Sequence, residues 1–176
     1  MMAAYAAAES GHAVTLLEQN EKLGKKLFIT GKGRCNLTNA SDMEQLFANV
    51  VSNRKFLYSA FYSYDNEQVI SFFESHGMPT KTERGNRVFP VSDHSSDVIA
   101  ALSAALREQH VEVFLHTKVK RLLLEKRDEE KRVTGVELAD HTKMHADAVI
   151  VATGGISYPS TGATGDGYRM AEESGH

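Results

Sequence analysis

The stretch Ala146-Asp-Ala-Val-Ile-Val-Ala-Thr-Gly-Gly155 constrains the fold more than any other part of the chain. Residues 148–151 run apolar without polar alternation, the pattern of a strand covered on both faces by helices in a parallel sheet. The run ends in Ala152, Thr153, Gly154 and Gly155, where missing Cβ atoms let backbone approach a ligand closely. In open α/β sheets, ligands sit at the carboxyl ends of strands, where such a turn lies. Alone, a buried strand with a glycine turn is a weak nucleotide signal. Two other stretches strengthen it.

The first opens the chain. Residues 1–10 are rich in helix formers, and Gly11 suits a helix stop. His12-Ala-Val-Thr-Leu-Leu-Glu18 follows as a strand ending in an acid. A small-residue helix before an acid-terminated strand is the second half of a βαβ dinucleotide unit. Glu18 then accepts hydrogen bonds from ribose hydroxyls. The half that would carry a glycine-rich phosphate turn is not among these residues. Met170-Ala-Glu-Glu-Ser-Gly-His176 echoes Ala8-Glu-Ser-Gly-His12 and stops where a further strand should begin. The expectation is one partial dinucleotide-binding domain over 1–176, truncated at both ends and associating with the rest of a parent protein.

The second stretch is the basic glycine loop after Glu18. Lys22, Lys25, Lys26, Lys32 and Arg34 place five cations in thirteen residues, opposed only by Glu21. Gly31 and Gly33 allow a tight turn. Backbone N–H groups and basic side chains together form an anion cradle suited to a diphosphate. A charged surface loop is the plainer reading of the same residues, and the acid-terminated strand before it favours the ligand. Cys35 in this turn has no Cys-x-x-Cys partner, which argues against disulfide exchange and for a small residue packed beside cofactor or core.

Between these stretches the pattern predicts helices. Ser41 with Glu44 forms a capping box before Leu46, Phe47 and Val50. Asn53 caps a helix carrying Phe56, Leu57, Ala60 and Phe61, and Asp65 with Gln68 caps one carrying Val69, Phe72 and Phe73. Ser95 caps a helix over 97–109. Residues 84–90 suggest a hairpin. Residues 111–115 read as another strand. Residues 118–126, 133–138 and 144–151 form an antiparallel meander around the polar tip 127–132. The expected fold is α/β and Rossmann-like: a mostly parallel sheet, helices on both faces, a small antiparallel crossover meander and a missing first strand.

Composition narrows the partners. Twenty Lys plus Arg against 23 Asp plus Glu leave a net charge of −3, so nothing points to nucleic acid. The single cysteine fits a reducing, cytoplasmic setting. No apolar run approaches ~20 residues, so no membrane span is expected. His141 and His145 have helical spacing but lie in a hairpin, so no metal site is expected.

Three motifs carry a resemblance: Thr30-Gly-Lys-Gly-Arg-Cys-Asn-Leu-Thr-Asn39, Gly85-Asn-Arg-Val-Phe-Pro90, and Ala152-Thr-Gly-Gly-Ile-Ser-Tyr-Pro-Ser-Thr-Gly-Ala-Thr-Gly-Asp-Gly-Tyr168. With them the whole chain resembles the aminoacetone-oxidase or BaiN-like flavoproteins, of the glutathione-reductase-type dinucleotide-binding fold. Lys32 stands where that family usually has glycine. The resemblance implies FAD, with Glu18 on the adenosine ribose. It puts a loop over 25–36 beside the dinucleotide, including Lys26, Gly31, Gly33, Arg34, Cys35 and Asn36. The Val119 backbone would lie near adenine, Thr153, Gly154 and Gly155 would line the cofactor, and residues 157–165 would approach the reacting side. The implied parent is an FAD-dependent oxidoreductase acting on a small molecule, with NAD(P)H as a candidate electron donor. The rival readings are an NAD(P)-only dehydrogenase and a nucleotide-binding module without activity.

Overall fold

The computed structural model describes residues 1–127 and 130–176. In chain order the elements are α1 (Met2–Glu9), β1 (Thr15–Leu17), α2 (Lys25–Ile29), β2 (Thr38–Asn39), α3 (Met43–Ala48), α4 (Tyr58–Ser63) and α5 (Asn66–Ser75). There follow β3 (Thr80–Glu83), β4 (Arg87–Pro90), α6 (Ser95–Glu108), β5 (Glu112–Phe114), β6 (Val119–Arg127), β7 (Glu130–Leu138), β8 (Lys143–His145) and α7 (Asp166–Ser174). They form two compact units, Met1–Lys26 with Leu106–His176, and Leu27–Ala105.

In the first unit, α1 ends at Gly11, whose φ of 89° is the left-handed geometry a helix stop requires. The chain then enters β1, which pairs in parallel with β5, Leu16 opposite Val113. Glu18 prolongs this ladder by donating its N–H to the Phe114 carbonyl at 2.9 Å. The meander β6-β7-β8 is antiparallel. Leu122, Val136 and Met170 form its buried core, with Leu17, Leu124, Met144 and Val149 against them. Gly135 has no alternative there: its φ is 146°, and a Cβ would run into the Met144 carbonyl. The expected polar tip at Asp128 and Glu129 lies outside the described residues.

Residues 148–151 are not a strand; β8 ends at His145. A strand exists by pairing, and among the described residues nothing pairs with 147–155. Val149 reaches the core, but Ile150 is 63% exposed. Among the described residues parallel pairing is therefore confined to β1 and β5, within a mixed set of strands.

The second unit holds the antiparallel sheet β2-β4-β3, and residues 84–86 make the expected hairpin turn between β3 and β4. Asp65 and Gln68 form the capping box of α5, and Phe72 and Phe73 are buried. Three other caps differ from expectation. The cap of α3 is Asp42, not Ser41, because Ser41 Oγ is taken up by Asn86 Nδ2. Asn53 is left-handed, with φ 52° and no side-chain cap bond, and opens a single tight turn before α4. Ser95 instead donates its hydroxyl to the Phe28 carbonyl at 3.0 Å. The apolar stripe of α6 is buried at Val98, Leu102, Ala105 and Leu106.

The meander carries one buried charge. Glu137 is 3% exposed. Its Oε2 accepts from Arg121 Nε at 2.8 Å and Nη2 at 2.6 Å. Oε1 faces Lys120 Nζ at 3.3 Å and His141 Nδ1 at 3.1 Å. The Arg121 hydrogen bonds, against the opposing effect of burial, pull the Glu137 carboxyl down to about 2. A depressed carboxyl contributes stability above its unfolded pKa of about 4.3, and that contribution fades as pH falls toward 2. Glu137→Gln should therefore lower the urea midpoint at neutral pH and flatten its pH dependence between those values. An unchanged acid limb in the variant would show that Glu137 does not govern it.

Candidate functional site

The residues singled out from sequence fall into two groups, one in each unit. Glu18, Lys26, Val119, Thr153, Gly154 and Gly155 belong to the first, and Gly31, Gly33, Arg34, Cys35 and Asn36 to the second.

In the first unit Glu18 stands directly after β1, where the β1–β5 ladder ends. Its Oε1 accepts from the Asn20 backbone N–H at 2.8 Å and from Asn20 Nδ2 at 2.7 Å. Among the described residues Oε2 accepts nothing. Burial lowers the pKa of the α-amino group before α1, and the Glu18 charge opposes the shift. So one carboxylate oxygen is held, and the other accepts no hydrogen bond among the described residues. That arrangement, at the end of a parallel strand, suits a ribose hydroxyl.

The same unit pins the segment after the glycine turn. Gln19 Nε2 donates to the Gly162 carbonyl at 2.8 Å, and Asn20 Nδ2 to the Thr161 carbonyl at 3.1 Å. Lys26 Nζ donates to Ser157 at both its carbonyl and its Oγ, 3.1 Å each, and lies 4.5 Å over the Tyr158 ring. Lys26 is thus engaged with protein, a positioning group for 157–158. Gly154 is left-handed, with φ 73°. The turn sits on the start of α7, where Gly165 donates to the Gly155 carbonyl at 3.2 Å. Gly167 permits the approach, since a Cβ there would stand 2.7 Å from Thr153 Oγ1. Val119 opens β6 opposite Leu138.

In the second unit the loop after α2 is wound tightly, with φ of 54° at Gly31, 58° at Lys32, 85° at Gly33 and 56° at Cys35. The Cys35 N–H donates to the Thr30 carbonyl at 3.1 Å. Cys35 is 2% exposed, a packed residue rather than a surface thiol. Arg34 does not reach outward. Its Nε donates to Asp93 Oδ1 at 2.7 Å, its Nη2 meets Glu83 Oε1 at 2.5 Å, and its guanidinium lies 4.1 Å over the Phe89 ring. Lys81 Nζ closes the set on Asp93 Oδ2 at 2.7 Å. The hydrogen bonds of Arg34 hold the Glu83 carboxyl below its ordinary value, and those of Lys81 and Arg34 do the same for Asp93. Two cations meet two anions here, so Arg34 braces the loop while its charge is neutralised on the spot.

Sequence reading missed Asn20, Gln19, Glu83, Asp93 and Gly167. An Asn two residues after an acid is a local turn signal that was there to be read. Glu83 and Asp93 carry none, because their partner is 49 and 59 residues away.

A parallel β1–β5 pair, with helices and the β2-β4-β3 sheet in its connection, is an α/β arrangement of the Rossmann kind. The HI0933-like protein Rossmann domain matches residues 1–176, and the chain belongs to that family. It is 36% identical to the 3-dehydro-bile acid delta(4,6)-reductase of Clostridium scindens, over 100% of this chain and 41% of that protein. It is 29% identical to the ribosomal RNA dihydrouridine synthase of Haemophilus influenzae, over 96% of this chain and 41% of that protein. The chain thus spans about two fifths of these relatives. The crystal structure of Thermovibrio ammonificans THI4 shares the fold, with a TM-score of 0.58 at 15% identity over 86% of this chain and 52% of that one. The matched domain is thus of the Rossmann kind, and it is related at moderate identity to a protein named as a reductase. Among the described residues, no helix is long and apolar enough to cross a membrane.

Proposed function

We propose that residues 1–176 are the FAD-binding portion of a flavin-dependent oxidoreductase of the aminoacetone-oxidase or BaiN-like kind. The observation that carries this is Glu18 at the end of β1, with Oε1 fixed by Asn20 and no acceptor role taken up by Oε2 among the described residues. Glu18 holds the adenosine ribose, the Val119 backbone borders the adenine, and the 153–155 turn lets the cofactor approach main chain. The bound flavin supplies the two-electron chemistry; these residues bind and orient it. The names of the relatives, a reductase and a dihydrouridine synthase, favour the reducing direction with NAD(P)H as electron donor. The near-neutral charge of the chain favours a small-molecule substrate over RNA.

The test is FAD titration of the apo form of the full-length protein. Glu18→Ala should weaken FAD by about ten- to a hundredfold, the loss of hydrogen bonds to a charged group. Wild-type protein that binds NAD(P) but no flavin would establish the NAD(P)-only dehydrogenase instead. Binding of neither would leave a domain without cofactor.

A further inference from the structure

All the polar side-chain atoms of Asn20 are committed, and the pattern fixes how its amide is oriented. Lys25 Nζ donates to Oδ1 at 3.2 Å. Nδ2 has two acceptors, Glu18 Oε1 at 2.7 Å and the Thr161 carbonyl at 3.1 Å. The backbone of Asn20 is bound as well: its N–H goes to Glu18 Oε1 at 2.8 Å, and its carbonyl accepts from His116 N–H at 3.0 Å. The ordering is one-sided. Both Asn20 donors converge on the same oxygen of Glu18, so the carboxylate is turned with Oε2 away from them. A glutamate has three rotatable bonds, and an unheld one loses that freedom only when ligand binds. Here the freedom is already removed in the folded protein, so a hydroxyl meets a preorganised acceptor.

We infer that Asn20 is the positioning residue of the nucleotide site: its backbone and side-chain amides lock Glu18 for the adenosine ribose and tie that end of the site to the loop at Thr161. This rests on the proposed role of Glu18 and adds what holds it. Asn20 does not touch the ligand. Its effect passes through Glu18, so it should appear as discrimination for the ribose hydroxyls rather than as a uniform change in affinity.

The experiment compares FAD with an FAD analogue whose adenosine ribose lacks the 2′-hydroxyl, each titrated into the apo form of the full-length protein. Wild type should prefer FAD by about tenfold, the worth of one hydrogen bond to a charged group. Glu18→Ala should erase the preference. Asn20→Ala should reduce it to about threefold, because the carboxylate loses the side-chain amide and keeps the backbone N–H of residue 20 as its one remaining hold. Thermal melting of the apo forms checks folding. If Asn20→Ala does not fold, the near-isosteric Asn20→Asp carries the test, since its carboxylate repels Glu18 where the amide held it. Full discrimination in the Asn20 variant, with Glu18→Ala having lost it, would overturn the inference and leave the Glu18 reading intact. No discrimination in wild type would remove the Glu18 reading and the role of Asn20 together.

Discussion

Expressed on their own, residues 1–176 are expected to self-associate and to purify colourless. Val113, Phe114, Leu115, Ile150 and Val151, all in the first unit, are exposed large apolar side chains, Phe114 at 47%. Roughly half of each is in water, so covering the five would return about 4–7 kcal/mol. A domain's whole net stability is about 5–15 kcal/mol. Among the described residues β1 is paired along one edge, with β5, which carries Val113 and Phe114. An open edge next to uncovered apolar residues is a template for pairing with another chain. In the second unit Val51, Phe56 and Tyr62 are exposed too. The relatives are more than twice as long as the matched stretch, which leaves room for segments that cover these surfaces. Size-exclusion chromatography with a visible absorbance scan tests the expectation. A monodisperse yellow monomer with near-stoichiometric FAD would refute it.

How much was legible follows from the range of each interaction. The β1 strand, the α5 capping box, the β3–β4 hairpin and the meander were readable, because alternation, caps and turn residues act over a few positions. The class followed from Glu18 at a strand end together with the glycine motifs. The 148–151 segment was not readable. Its apolar run says that something must cover it, and pairing depends on a neighbour that a local pattern does not supply. The role of Arg34 was likewise out of reach. A cation in a glycine loop looks the same whether it faces a phosphate or two carboxylates folded back from 83 and 93. Ser41 and Ser95 were misjudged as caps for the same reason: each hydroxyl is claimed by a residue distant in sequence.

The 30–36 loop sets a strong stability contrast between two glycines two positions apart. Gly31 and Gly33 are both left-handed, with φ of 54° and 85°. Alanine at either pays the left-handed cost of about 1–2 kcal/mol. At Gly33 nothing lies within 4 Å of the added methyl, so that is the whole expected cost. At Gly31 the methyl would stand 2.6 Å from the Asn36 backbone nitrogen. Main chain cannot rotate aside as a long side chain can. The neighbouring Cys35 is buried, itself left-handed, and bonded to Thr30, while Arg34 is clasped by Glu83 and Asp93. The loop is held at both points where it could yield. Gly31→Ala should therefore cost on the order of 3 kcal/mol or more, in the range of strained or overpacked sites. Gly33→Ala should stay near 1 kcal/mol. Urea denaturation of the two variants in the full-length protein measures both. Equal midpoints would mean that the loop relaxes around the Gly31 methyl and that the clasp on Arg34 does not hold it.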